Sequence, residues 1–520
     1  MRKSERDSVA RILPGLIAVM FCLSMILASA AFAGKSDNSL VWAAKKEVTA
    51  LDPYYDTSRE ALVLSGHIYD GLVYWDPETN EYQPLLATKW TWVDNTTLEF
   101  KLRHGVVFHD GSSFGPKDVV YTINFMTNEE NGVLNYGDIK WLKSAEQIDK
   151  DTVRIYLQEP FPAALAYLAL ALPILPDKHF DSAPVKSDGK KAYGAVAANG
   201  TGPYKVASFK PGERVEMVVN SDYFADSPKG KPAIEKLVYR TIADDSTQIA
   251  EIMTGGIDWI WGISEDQAAG LRQAPNLTVM NAPTMRISYL TFDVKGKSGN
   301  DAFTKQDVRQ AFGYAINRQA IAKTFMGPNS AVINAACHPS QFACSDDVMV
   351  YDYDPQKAKE LLDKAGYPNG FSFDIYAYRQ REVTEAIIGD LAKVGLNANL
   401  RYMKYSALRD LIREGKAEVA NMTWGSNSIP DVSASASYFF GGGPDDSASD
   451  PEVMAALREG DVSTVPSVRE AAYSRALKRI AQQAYWIPLF TYTKNYVFSS
   501  DLVFKPTPDE FPRFFAAHWK

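Results

Sequence analysis

Ile68-Tyr69-Asp70-Gly71-Leu72-Val73, then Pro84-Leu85-Leu86-Ala87, then Leu102-Arg103-His104-Gly105-Val106-Val107-Phe108-His109-Asp110-Gly111: the succession of these three pieces decides how the chain is read. Locally the passage is a short apolar segment, a loop, two pleated strands and a helix. Leu98, Phe100 and Leu102 alternate with polar residues, as a half-buried strand requires. Asp110-Gly111 marks a turn, and Pro116 opens a helical pattern through Val119, Val120, Ile123 and Phe125. Each element is ordinary; their order is idiosyncratic.

Upstream, residues 1–33 read as a signal peptide. Arg2, Lys3, Arg6 and Arg11 form a basic start, Ile12 to Leu27 is mostly apolar, and Ala31-Phe32-Ala33 is a small-x-small cleavage site. A transmembrane anchor is the competing reading; the cleavage site and the polar Lys35-Ser36-Asp37-Asn38 behind it favour removal. Cys22 follows Met20-Phe21, which lacks the small residue expected before a lipid-modified cysteine. The leader carries four basic side chains against Glu5 and Asp7, so its loss takes the formal charge from −8 to −10. Such a balance argues against nucleic-acid binding, because phosphates would be repelled rather than neutralised. It suits a soluble protein outside the cytoplasm. Ala163 to Leu175 is too short to span a membrane and contains Pro173.

The residues after the leader exceed what one hydrophobic core supports, so two or more lobes are expected. Strands and helices are intermixed, giving an α/β class without strict alternation. Val153, Ile155 and Leu157 alternate, as do Val215, Met217 and Val219, and Leu237, Tyr239 and Thr241. Asp354 and Pro355 provide an N-cap and first helical residue, with Leu361, Leu362 and Ala365 buried and Gly366 at the end. A second helix runs through Val383, Ile387, Leu391 and Val394 to Gly395, and Asn399-Leu400-Arg401-Tyr402-Met403 follows as a strand.

No enzyme constellation assembles. There is no His-Glu-x-x-His and no Cys-x-x-Cys, and Gly296-Lys297-Ser298 lacks the leading glycine of a phosphate loop because Thr291 stands there. With six histidines in all, His104 and His109 read as turn or packing residues rather than ligands. The expectation is a protein without catalysis, metal or cofactor. Of three cysteines, Cys337 and Cys344 remain after processing and pair as a disulfide in an oxidising compartment; a metal site with His338 is the weaker alternative, for want of a fourth ligand. Aromatics reach 12 %, which serves ligand stacking and cores alike.

The opening passage resembles the extracytoplasmic solute-binding proteins of ABC importers, in the family that takes up oligopeptides, dipeptides, nickel and related solutes. Further pieces are similar in the same order: Gly200-Thr201-Gly202-Pro203-Tyr204-Lys205-Val206, Pro211-Gly212-Glu213, Asn220-Ser221-Asp222-Tyr223-Phe224, Gly255-Gly256-Ile257-Asp258, Val308 to Arg318, and Tyr353 to Leu362. The resemblance implies a two-lobed periplasmic-binding-protein (Venus flytrap) fold of the large peptide-binding type. Lobe I would comprise about 39–285, with an extra subdomain over about 80–199, and a return segment 486–520; lobe II would span 286–485. Crossings near Arg286–Asp293 and Trp486–Tyr492 would form the hinge. The implied function is capture of a short peptide or peptide-like solute in the periplasm and delivery to an inner-membrane permease, by a single copy of the chain. A sugar or opine-type conjugate is the alternative ligand, and an exported hydrolase the rival class.

The resemblance also implies site residues. Thr423-Trp424-Gly425-Ser426-Asn427 resembles a cleft-lining segment in which an aspartate pairs with the peptide's α-ammonium; here Asn427 stands at that position and brings no counter-charge. Either Asp431 takes over as the anion, or the ligand lacks a free α-ammonium there; a third reading has Asp431 capping the chain at Ser433. Arg379 or Arg381 is the candidate for a ligand carboxylate, against a plain solvated charge at a helix start. Tyr54, Tyr55 and Asp56, in the aspartate-proline loop, are candidates from the first lobe, against simple packing.

Overall fold

Two strands far longer than the five or six residues usual in sheets hold the molecule together, Leu277–Phe292 and Trp486–Ser499. In the computed structural model, which describes residues 34–135 and 139–520, they run antiparallel within a ten-stranded sheet. The leader expected over 1–33 lies outside the described residues. Beyond Leu277–Phe292 come Val419–Trp424, Phe371–Ala377 and Leu396–Tyr402. Beyond Trp486–Ser499 come Trp259–Trp261, Ser39–Ala44, Lys236–Thr241, Arg214–Val219 and Tyr204–Lys210.

The ladder between the two long strands is interrupted once in a way that matters. Pro283 pairs with Thr493, and pairing resumes only at Ile287 opposite Thr491. Thr284, Met285 and Arg286 therefore oppose the single Tyr492. Proline brings no N–H to continue the ladder, and the freed groups find other partners. Thr284 Oγ1 donates to the Tyr492 carbonyl (3.1 Å), and the Met285 amide donates to the Pro508 carbonyl (2.7 Å). A bulge of this kind bends the strand and re-aims its side chains.

On either side of the bulge lie separate cores, which makes the molecule two-lobed. In one, Trp42 packs against Tyr239, Trp259, Trp261 and Phe514, so residues near both ends of the chain share one aromatic cluster. In the other, Phe292, Phe303, Phe312 and Phe373 meet edge to face or stacked, and a neighbouring cluster centres on Tyr289 stacked upon Trp486 at 3.5 Å. A four-stranded antiparallel sheet extends the first lobe, in the order Ala87–Asp94, Thr97–Leu102, Thr152–Leu157, Leu142–Gln147. Leu98, Phe100 and Leu102 are its buried face, and helix Pro116–Met126 lies on it, with Asn124 bridging both backbone groups of Ala145.

The pieces that made the sequence distinctive are joints. Asp70 is buried and accepts from Thr201 (3.0 Å), Tyr223 (3.3 Å) and Lys229 (2.6 Å). A Cβ on Gly200 would lie 2.1 Å from the Ile68 carbonyl oxygen, so the two segments can approach only if that residue has no side chain. Arg309 and Arg318 each point into the second lobe and donate to backbone carbonyls: Phe303, Thr304, Gln483 and Ala484 for one, Ile333, Tyr351 and Pro488 for the other. Asp354 caps helix Pro355–Lys364 by accepting from the Lys357 amide. Cys337 and Cys344 are joined to each other, which removes both thiolates from the alternative metal site with His338. Among the described residues no helix is long and apolar enough to cross a membrane.

Candidate ligand-binding cleft

A cavity of about 230 Å³ opens where the lobes face each other, walled by Arg59, Arg286, Tyr378, Tyr405, Thr423, Trp424, Gly425 and Asn427. Arg59 starts helix Arg59–Ile68, whose first turn is capped by Ser58. Arg286 comes from the bulge between the long strands. Trp424 ends strand Val419–Trp424; its indole N–H donates to the Ala434 carbonyl (2.7 Å) and its face stacks on Tyr438 at 4.7 Å, which fixes the ring at the cleft wall. Tyr378 shares a hydrogen bond with Thr423 (2.7 Å) and packs against Tyr405. A Cβ on Gly425 would fall 3.0 Å from Arg286 Nη2, so the glycine makes room for the guanidinium.

After Gly425 the backbone is strained. Ser426, Asn427 and Ser428 all have left-handed φ, at 51°, 49° and 64°, a conformation that costs non-glycine residues energy and persists only when surroundings enforce it. The enforcement is visible at Ser428, whose hydroxyl donates to the Asp509 carbonyl (2.7 Å) and accepts from Arg59 Nη1 (3.2 Å). Arg59 also donates to the Asp509 carbonyl (3.3 Å). The two contacts of Ser428 pass from one lobe to the other. Ile429 and Ala434 add an apolar contact with Ala166, and Arg458 pairs with Glu159 at the rim.

Beneath the cleft lies a buried ionic group. Glu510 is paired with Lys494 (2.7 Å) and stands 3.9 Å from Arg286. Burial alone would raise the Glu510 pKa, but Lys494, Arg286 and Arg59 hold it well below the usual carboxylate range. Burial lowers Lys494 and Arg286 from their ordinary values. Asp509, next in line, is paired with Arg513 (2.7 Å).

Of the residues expected from the sequence, the structure brings Trp424, Gly425 and Asn427 to the cleft wall. Arg379 is exposed, with its guanidinium 5.5 Å from the Tyr492 ring, close enough to act on Arg286 electrostatically. Arg381 is exposed and paired with Glu385 one turn along its helix (2.7 Å). Asp431 differs from expectation as a ligand anion. Both its oxygens lie 2.9 Å from Arg469 Nη2, it caps Ser433, and the pair is buried. Tyr54 and Tyr55 differ too: Tyr54 is fully buried and donates to the Pro173 carbonyl (2.5 Å), while Tyr55 stacks on Tyr193 and donates to the Asn131 carbonyl (2.6 Å). Asp56 accepts from the amide and hydroxyl of Ser58. Their loop contributes Arg59 to the cavity instead. Sequence reasoning also missed Arg286, Tyr378 and Tyr405 as lining residues, while Thr423 belongs to the run it had placed in the cleft; the position of Arg286 at a lobe crossing was the available signal.

Known proteins share this fold. The model for bacterial extracellular solute-binding proteins, family 5 middle, matches residues 81–447. The glutathione-binding protein GsiB of Escherichia coli (strain K12) is 28 % identical over 505 residues, covering 91 % of this chain and 92 % of that protein. Among solved structures, the periplasmic binding protein DppA from Helicobacter pylori, in complex with the peptide STSA, superposes with a TM-score of 0.76 at 27 % identity over 94 % of this chain and 98 % of its own. CtaP from Listeria monocytogenes, an ABC transporter substrate-binding protein, shares the fold with a TM-score of 0.81 at 23 % identity, over 94 % and 99 % of the two chains.

Proposed function

Because the chain belongs to the bacterial extracellular solute-binding proteins of family 5, we propose that it is the substrate-binding component of an ABC importer, capturing a short peptide or peptide-like solute and handing it to a membrane permease. The observation that carries this reading is a cleft built from both lobes and floored by the strands that join them. A ligand seated there touches Arg59 from one side and Trp424 and Gly425 from the other, so it stabilises the closed arrangement by bridging. A relative named for glutathione binding and one solved in complex with the peptide STSA support the peptide-like class.

Lobe I would be residues 39–285 with the return segment 486–520, and lobe II residues 286–485. The separate cores support that division. Closure would pivot on the bulge at Thr284–Arg286. The chain would work as a single copy in the periplasm after loss of its leader, and would leave its cargo chemically unchanged. Thermal unfolding in the presence of a peptide library tests the reading: Tm should rise with the concentration of a bound member as mass action requires, and the member should be recovered intact. A Tm indifferent to every member, or recovery of cleaved peptides, would refute it.

A further inference from the structure

The wall of the cleft has an unbalanced charge. Among the described residues lining it there are two guanidinium groups, Arg59 and Arg286, and no carboxylate. Behind the wall, Glu510 is committed to Lys494 at 2.7 Å and stands back from Arg286 at 3.9 Å, and Asp445 is taken up by Arg409 and Arg413. Arg286 is mostly shielded from water, its side chain 22 % exposed. One of its nitrogens donates to Thr423 (3.3 Å), while Nε has no hydrogen-bond partner among the described residues. Burial, offset in part by Glu510 and reinforced by Arg379 and Arg59, pushes this guanidinium below its ordinary value. A shielded cation with fewer hydrogen bonds than it can make is costly until an anion meets it. Asn427 adds an amide to the same wall and no negative charge, and Asp431 is neutralised by Arg469.

We propose that the cleft selects ligands of net negative charge, with a carboxylate seated against Arg286 and Arg59 beside Asn427. This rests on the reading of the chain as a peptide-type capture protein and specifies the ligand class. The planar guanidinium fork suits a carboxylate through paired, charge-assisted bonds. An amine presented at this wall would meet two like charges. The ligand would complete the ionic group that Glu510 and Lys494 begin. Acidic peptides, and conjugates in which an α-ammonium is absent or outnumbered by carboxylates, are the cargo this arrangement accepts.

The test is retention from a random tripeptide library, synthesised once as free acids and once as carboxyl-terminal amides. The purified protein is mixed with both, filtered, and the retained peptides are identified by mass spectrometry. The expected result is at least ten-fold enrichment of species containing Asp or Glu over those containing Lys or Arg, with free acids favoured over amides. Retention of neutral or basic peptides at equal or higher yield would overturn the charge selection while leaving peptide capture standing. Retention of nothing from either form would bring down the capture reading and this inference together. The R286Q variant should reduce the acid-over-basic enrichment at least ten-fold. R59Q, on a helix at the cleft mouth, provides the same readout should R286Q disturb folding at the bulge. Unchanged selectivity in a folded variant of both would also overturn the proposal.

Discussion

Removing one member of the Asp431–Arg469 pair leaves the other charge buried and unpaired, and such changes cost about 3–5 kcal/mol. Asp431→Ala should therefore lower Tm by several degrees, read by calorimetry, while leaving the ranking of bound peptides as it was. Asp52 offers a second test at a single residue. Its Oδ1 accepts from the Tyr54 amide, while Oδ2 has no hydrogen-bond partner among the described residues and lies 3.9 Å from His179 Nε2, in a site closed to water. Burial raises Asp52 to about 7 and lowers His179 to about 4. A carboxyl whose pKa is higher folded than unfolded favours the folded state at low pH, and that contribution is lost as pH rises from 3.8 through 7. Asp52→Asn should consequently be on the order of 1–3 kcal/mol more stable than the parent at pH 8, with the advantage vanishing near pH 4, as urea unfolding at the two pH values would show. His179 runs the other way, since its depressed pKa costs stability as pH falls below 6.5, so the two titrations partly mask each other in the parent protein.

At the scale of elements, what could be read from the sequence was whatever repeats with a short period or sits at a cap. Thr97–Leu102 shows its buried face by alternation, helix Pro116–Met126 its start by proline, and Pro355–Lys364 its cap by Asp354. Asp354→Ala should remove the acceptor for the Lys357 amide and cost about 1 kcal/mol in chemical unfolding. The cleft was half legible. Trp424, Gly425 and Asn427 lie in a recognisable run, whereas Arg286 owes its position to a three-residue bulge set by Pro283 and by hydrogen bonds to residues more than two hundred positions away. Nothing periodic marks such a bulge. Tyr54 and Tyr55 misled for a related reason: a tyrosine next to a loop proline serves equally well to line a cavity or to bury its ring and satisfy its hydroxyl on a carbonyl, and only the location of Pro173 and Asn131 in space decides. The same holds for Asp431, whose partner is thirty-eight residues away on another helix.

For the whole molecule, the contacts of Ser428 with Asp509 and Arg59 weigh on the balance between open and shut arrangements. Ser428→Ala deletes two hydrogen bonds that join the lobes, a loss of about 1–2 kcal/mol or roughly five- to thirty-fold in ligand affinity. Titration calorimetry should show that loss, and small-angle scattering of the unliganded variant should show a larger radius of gyration than the parent, with little change in Tm. The position of the segment from Phe504 to Phe514 has a different consequence. Phe504 and Phe514 complete the aromatic cluster begun by Trp42, and Glu510 lies under the cleft. The first lobe thus has no finished interior until residues more than four hundred positions apart have met, and a loop of that length must close before the contacts that reward closure can form. Slow closure, rather than weak packing, is what this arrangement costs the folding chain.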